Sequence, residues 1–145
     1  MNPKIALLIL FYFFIGKLCA QQTLTVQITN VKNDKGQIAV ALYNSEKDFM
    51  KVRYQGKVTK ALKGAVEIVF ENLPIGYYGL SVMHDANENN KLDTNILGIP
   101  KEGFGFSNNA MGTFGPPNFE KAKVEVSANK SISISINYFW LHSPT

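Results

Sequence analysis

The sequence predicts an all-β fold, a single antiparallel β-sandwich of about seven strands, immunoglobulin-like or transthyretin-like, with one long ordered loop. Three observations predict it. Apolar and polar residues alternate with period two in run after run, the pattern of half-buried strands. The runs are short and separated by turn residues, and helix signals are scarce. A parallel sheet would show strands apolar on both faces, which the alternation argues against.

The first twenty residues stand outside that pattern. Lys4 supplies a positive start, Ile5 to Ile15 is an unbroken apolar run, and Gly16 to Ala20 lead to a polar beginning at Gln21. This is the anatomy of a secretory signal peptide, with cleavage expected after Ala20. The apolar run is about half to two-thirds of the roughly 20 residues that cross a bilayer, so no membrane span is expected after cleavage. Cys19 raises a lipoprotein reading, but Leu18 is large and Lys17 charged, a poor lipobox. The expected location is therefore outside the cytoplasm, periplasmic or extracellular, with one domain over residues 21–145.

Cleavage takes Lys4 and Lys17 from the 15 basic side chains and leaves the 11 acidic ones, so the net charge falls from +4 to +2. It also removes the one cysteine, so the fold has to rest on its core or on a bound ion. A chain this long buries roughly two-thirds of its surface on folding, enough for a real core. Lys and Arg form no cluster, and an acidic loop lies at the centre, which excludes nucleic acid as an expected partner.

The elements follow in order. Leu24, Val26 and Ile28 alternate with Thr23, Thr25, Gln27 and Thr29, and Asn33-Asp34-Lys35-Gly36 supplies a turn. Ile38, Val40 and Leu42 form the inward face of a second strand. Ser45-Glu46-Lys47-Asp48 resembles a capping box opening one turn, with Phe49 as its apolar contact. A weaker strand runs from Lys57 to Leu62. Val66, Ile68 and Phe70 follow with Glu67 and Glu71 outward, then Tyr78, Leu80 and Val82. Ala122, Val124 and Val126 alternate with Lys121, Lys123 and Glu125. The last run sets Ile132, Ile134, Ile136 and Tyr138 against Ser131, Ser133, Ser135 and Asn137.

Between His84 and Pro117 lies a segment rich in Asn, Gly and acidic residues. A loop of roughly thirty residues inside a compact domain is uncommon and usually functional or disordered. Asp85, Asn87, Asn89 and Asp93 hold positions one, three, five and nine of a calcium loop, with Lys91 placed to give its backbone carbonyl. Asn90 stands where such loops place Gly for a left-handed turn, and Asn tolerates that conformation next best. Position twelve, normally a bidentate Glu, is Ile96. Glu102 or water would have to complete the six to eight ligands of calcium, and the affinity would be on the order of 10⁻⁴ to 10⁻³ M. Asn and Asp also cap turns through their own backbone, so a metal-free Asx-turn network is the second reading of the same residues.

Other candidates carry less chemistry. His84 continues the inward parity of Tyr78, Leu80 and Val82, which reads as a hydrogen-bonded plug beneath the loop. The other histidine, His142, lies in the tail, and with no mature cysteine a structural zinc site is excluded on ligand grounds. Ser107 lacks the Gly-x-Ser-x-Gly turn of a nucleophile and reads as a turn serine. Phe104, Phe106, Phe114 and Phe119 are spaced through Gly-rich sequence. They read either as the loop's own small core or, for Phe104, Phe106 and Phe114, as a contact surface for a ligand or partner.

The run from His84 to Val126 resembles the signature of an exported bacterial family known only as a domain of unknown function, family 2141. Its pattern, HDxNxNxKxDxNxxGxPxEGxGFSNN followed by FGPPxFxxA, is met from His84 through Asn109 and again from Phe114 to Ala122. Gly36-x-Ile38-x-Val40-x-Leu42-Tyr43 and Leu73-Pro74-x-Gly76-x-Tyr78 also fit, and Asn90 departs where the family favours Gly. The resemblance implies export and a compact β-sandwich, and it supplies no activity or catalytic residue.

The leading functional expectation is a non-enzymatic module whose loop holds calcium at low affinity and contacts a protein or glycan partner at the cell envelope. One alternative is a metal-dependent hydrolase using His84, Asp85, Asp93 and Glu102, which needs an open metal position and a base within reach. Another is a carbohydrate-binding module working through the loop phenylalanines, although Trp or Tyr is more usual there and the one Trp, Trp140, lies near the C-terminus.

Overall fold

The computed structural model describes residues 20–139. The expected signal segment with Cys19, and Trp140 and His142 of the tail, lie outside those residues. Eight strands form two sheets: β1 (Gln21–Val31), β2 (Gln37–Tyr43), β3 (Gln55–Lys60), β4 (Gly64–Pro74), β5 (Gly76–Asp85), β6 (Gly103–Phe106), β7 (Val124–Val126) and β8 (Lys130–Ser135). One sheet has the order β4-β1-β8. The other runs β3-β2-β5-β6, with β7 also on β5.

The sandwich core is the one that the alternation predicts. Leu24, Val26, Ile28, Ile38, Val40, Leu42, Ile68, Phe70, Leu80, Val82, Ile134 and Ile136 are buried in one cluster that both sheets share. Asn30 and Asn72 take positive φ, 60° and 58°. Both sit where the β1–β4 register shifts, because a short amide side chain tolerates the left-handed turn of a bulge.

Three expectations need correction. Pairing is mostly antiparallel, but β1 and β8 run parallel, Leu24 opposite Lys130 and Thr29 opposite Ser135. Alternation reports which face a residue occupies and says nothing of strand direction. The strand expected to begin at Ala122 begins at Val124. Ala122 closes a one-turn helix, α1 (Phe119–Ala122), whose N-cap Asn118 accepts the Lys121 N–H. Ser45 accepts the Asp48 N–H and closes the hydrogen-bonded turn that its capping box predicts.

The third correction concerns the long loop, which β6 divides in two. Gly103 and Gly105 of β6 face the core side, opposite His84 and Val82. The last strand ends at Ser135, and the chain then crosses from β1 to β6: Asn137 and Phe104 exchange both backbone hydrogen bonds, at 2.8 and 3.0 Å. Gly103 permits that crossing, since a Cβ there would come 2.3 Å from a Tyr138 ring carbon. Among the described residues no helix is long and apolar enough to cross a membrane.

Candidate functional site

The five-stranded sheet has an outer face of unusual composition. Register places Val58, Ala39, Met83 and Phe104 in one cross-strand row and Gly56, Ala41, Ser81 and Phe106 in the next. Ala39, Ala41 and Ser81 are thus small residues at the middle of the face, with the larger Val58, Met83, Phe104 and Phe106 around them. Outward residues of a solvated sheet are ordinarily polar, so this face is built to be covered or to bind. It floors an open cleft of about 1510 Å³.

Two loops wall the cleft. The first, residues 86–102, contributes Leu92, Leu97 and Ile99; the second, residues 107–118, contributes Met111 and Phe114. Phe114 is 101% exposed and Leu97 77%. The sequence candidates Phe104, Phe106 and Phe114 therefore line one space. Phe106 is also buried in a satellite cluster with Tyr43, Phe49 and Phe119, so it anchors the wall as well as lining it.

The oxygen-rich motif holds the first loop in shape. Asp85 closes β5 and is 0% exposed. Its Oδ1 accepts the Asn89 N–H at 3.1 Å, and its Oδ2 accepts the Asn90 N–H and the Gln37 Nε2 amide, both at 2.8 Å. Glu102 folds back from the far end of the loop. One oxygen accepts the Ala86 N–H and the other the Asp93 N–H, each at 3.0 Å.

Asp93 in turn accepts the side-chain amides of Asn87 and Asn89, at 2.6 and 2.9 Å. The oxygens of Asn87 and Asn89 accept the N–H groups of Asn89 and Lys91, which are Asx turns. Asn90 sits at φ 61°, the left-handed position expected of it. Asn95 repeats the device at the loop tip, accepting from Leu97 and Ile99. Asp85, Asn87, Asn89, Lys91, Asp93 and Glu102 are thus one hydrogen-bonded unit. Among the described residues no group of three His, Cys, Asp or Glu side chains is arranged to hold a metal ion.

His84 belongs to the other side of β5 and does not join them. It is 2% exposed. Its Nε2 lies 2.8 Å from the Lys35 carbonyl, and its Nδ1 lies 2.7 Å from the Tyr138 hydroxyl. A carbonyl can only accept, so these partners assign the hydrogen to Nε2 and leave Nδ1 to accept from Tyr138. The Tyr138 hydroxyl also accepts the Lys32 N–H at 3.1 Å. This chain ties the β1–β2 turn to the crossing segment.

Burial pushes the Tyr138 phenol above its ordinary pKa, against the Lys32 hydrogen bond. A folded value above the unfolded one means the contribution is complete below about pH 10 and is lost as pH rises through the folded value. Tyr138→Phe should therefore cost about 1–2 kcal/mol at neutral pH. Its deficit against wild type should shrink in melts above pH 10, and a deficit independent of pH would contradict this assignment.

The Ser107-Asn108-Asn109 segment secures the second loop, a role sequence reading missed when it took Ser107 for an ordinary turn serine. Ser107 is fully buried; its hydroxyl accepts the Leu80 N–H at 2.9 Å and donates to the Ala122 carbonyl. Asn108 donates to the Lys121 and Lys123 carbonyls, and Asn109 accepts the Ser135 N–H. The outward residues of the floor, Ala39, Ala41 and Met83, were also missed. Their signal was present, because β2 (Gln37–Tyr43) is apolar on both faces.

Comparison with known proteins gives the family. No curated protein and no solved structure matches the chain. One family model, an uncharacterized protein conserved in bacteria (DUF2141), matches residues 26–135, which takes in the cleft floor and both walls. The chain belongs to that family.

Proposed function

We propose that this protein is an exported, non-enzymatic binding module whose ligand or envelope partner seats in the cleft over the five-stranded sheet. The observation that carries the reading is the outer face itself, a trough of Ala39, Ala41 and Ser81 among the larger Val58, Met83, Phe104 and Phe106. A trough lined by apolar side chains with few polar groups is the ordinary character of a small-molecule site. The Asp85–Asp93–Glu102 unit serves this site as a frame, fixing the wall that Leu97 and Ile99 present.

Within this reading the calcium loop ranks below the self-bonded loop. Amide and backbone N–H groups occupy oxygens of Asp85, Asp93 and Glu102 that a cation would need. The hydrolase alternative ranks lower still, because His84 and Asp85 point to opposite faces of β5 and His84 has both ring nitrogens engaged. Glycan binding would need free polar partners along the floor, where the side chains are apolar or small.

The test is binding of the uncharged dye N-phenylnaphthylamine to the purified protein. Its fluorescence should rise on mixing. Ala39→Trp, which fills the trough, and Met83→Glu, which charges it, should each weaken binding at least tenfold. Both residues face outward, so melting should move little, within about 0.5 kcal/mol. Unchanged dye binding in both folded variants would remove the cleft as the site.

A further inference from the structure

We infer that the occupant of the cleft is an anionic amphiphile, a long-chain fatty acid whose carboxylate pairs with Arg53. This rests on the cleft being the binding site. Among the described residues lining it, Arg53 and Lys57 are the only charged side chains, and none carries a carboxylate. The two cations are not equivalent. The Lys57 ammonium donates to the Val69 carbonyl and lies 5.7 Å from the centre of the Phe70 ring, so it is committed to the sandwich edge.

Arg53 has no hydrogen-bond or ion-pair partner among the described residues. It lies over Gly56, where an added Cβ would come 3.1 Å from its Cδ and 3.4 Å from its Nε and Nη1. Gly56 pairs with Ala41 and opens the row that continues to Ser81 and Phe106. The missing side chain therefore seats a guanidinium at one end of the trough. A planar fork of N–H donors suits a carboxylate bidentately.

The rest of the trough favours an alkyl chain over a peptide. Its floor strands spend their backbone N–H and C=O groups on one another, as β2 does on both β3 and β5. A peptide laid across such a face would bury its own polar backbone without partners, which is costly. A methylene chain has none to satisfy.

The experiment is displacement of N-phenylnaphthylamine from the purified protein by hexadecanoate and by hexadecanol, both below micelle-forming concentrations. Hexadecanoate should displace the dye at about fivefold lower concentration than the alcohol, the range of one exposed ion pair. Arg53→Gln should erase that preference, and Arg53→Lys should restore part of it. Equal displacement by the two in wild type, or a preference that survives Arg53→Gln, overturns the fatty-acid assignment while the cleft stands. If neither compound displaces the dye, and Ala39→Trp leaves the dye bound, the cleft itself has failed. Preferential displacement by an apolar peptide over hexadecanoate likewise overturns the proposal.

Discussion

Replacing Asp85 with Ala should cost about 3–5 kcal/mol, because three N–H donors lose a buried acceptor at once. Asn90 would be left with an unpaired backbone N–H, Asn89 would keep only its bond to the Asn87 amide oxygen, and Gln37 would lose the shorter of its two bonds. For a domain of this length the melting temperature should fall by roughly 10–20 °C. Asp85→Asn should fall between wild type and Ala, since one oxygen still accepts while the new amide faces a donor. Equal melting of wild type and Asp85→Ala would show that the carboxylate does not hold the loop.

The same melts separate the two readings of the loop. A cation at ten times its dissociation constant would stabilise wild type by about 1.4 kcal/mol, a shift of a few degrees. The self-bonded frame predicts no shift between EDTA and millimolar calcium. A calcium-specific rise that disappears in Asp85→Ala would replace the frame with an ion site.

Gly36→Ala should be as damaging by a different route. Gly36 turns the chain from β1 into β2 at φ +67°, a conformation that costs an L side chain about 1–2 kcal/mol. The larger effect is steric, since an added Cβ would lie 2.1 Å from the Asp85 carbonyl oxygen and 2.7 Å from the Ala86 carbonyl carbon. Backbone cannot swing aside as a side-chain tip does. Relief would drive the turn away from the end of β5, where His84 and Asp85 make their bonds, at a further cost of about 3 kcal/mol. Gly64→Ala is the control, with φ +99° and open space around the added atom, so it should lose only the backbone part. Equal losses at the two glycines would show that the close approach carries no energy.

The sandwich core was legible because period-two alternation states which side chains face inward, and the inward set is the buried set. Strand partners were not legible. The parallel β1–β8 pair depends on where β8 arrives after a long detour through β6 and α1, which no local pattern encodes. The β6 strand escaped notice because its inward positions are Gly103 and Gly105, small to let the crossing chain pass, and so it lacks the apolar signal of a strand.

The site divides along the same line. Alternating oxygens in the Asp85–Asp93 run marked an ordered loop, and they did so whether the oxygens serve a cation or the backbone, since both uses curl the chain alike. The cleft was obscured because Ala39 and Ala41 look unremarkable in a strand. Only register with Met83 and Phe104 turns them into a continuous face. Arg53 gains meaning only through its place over Gly56.

Amide chemical-shift mapping with N-phenylnaphthylamine tests the central claim most directly. Shifts should concentrate at Ala39, Ala41, Met83 and Phe104, with Leu97 and Ile99 on the facing wall, while β1 and β4 stay silent. Saturating dye that shifts only the three-stranded sheet, or the far faces of the loops, would place binding elsewhere and contradict the account.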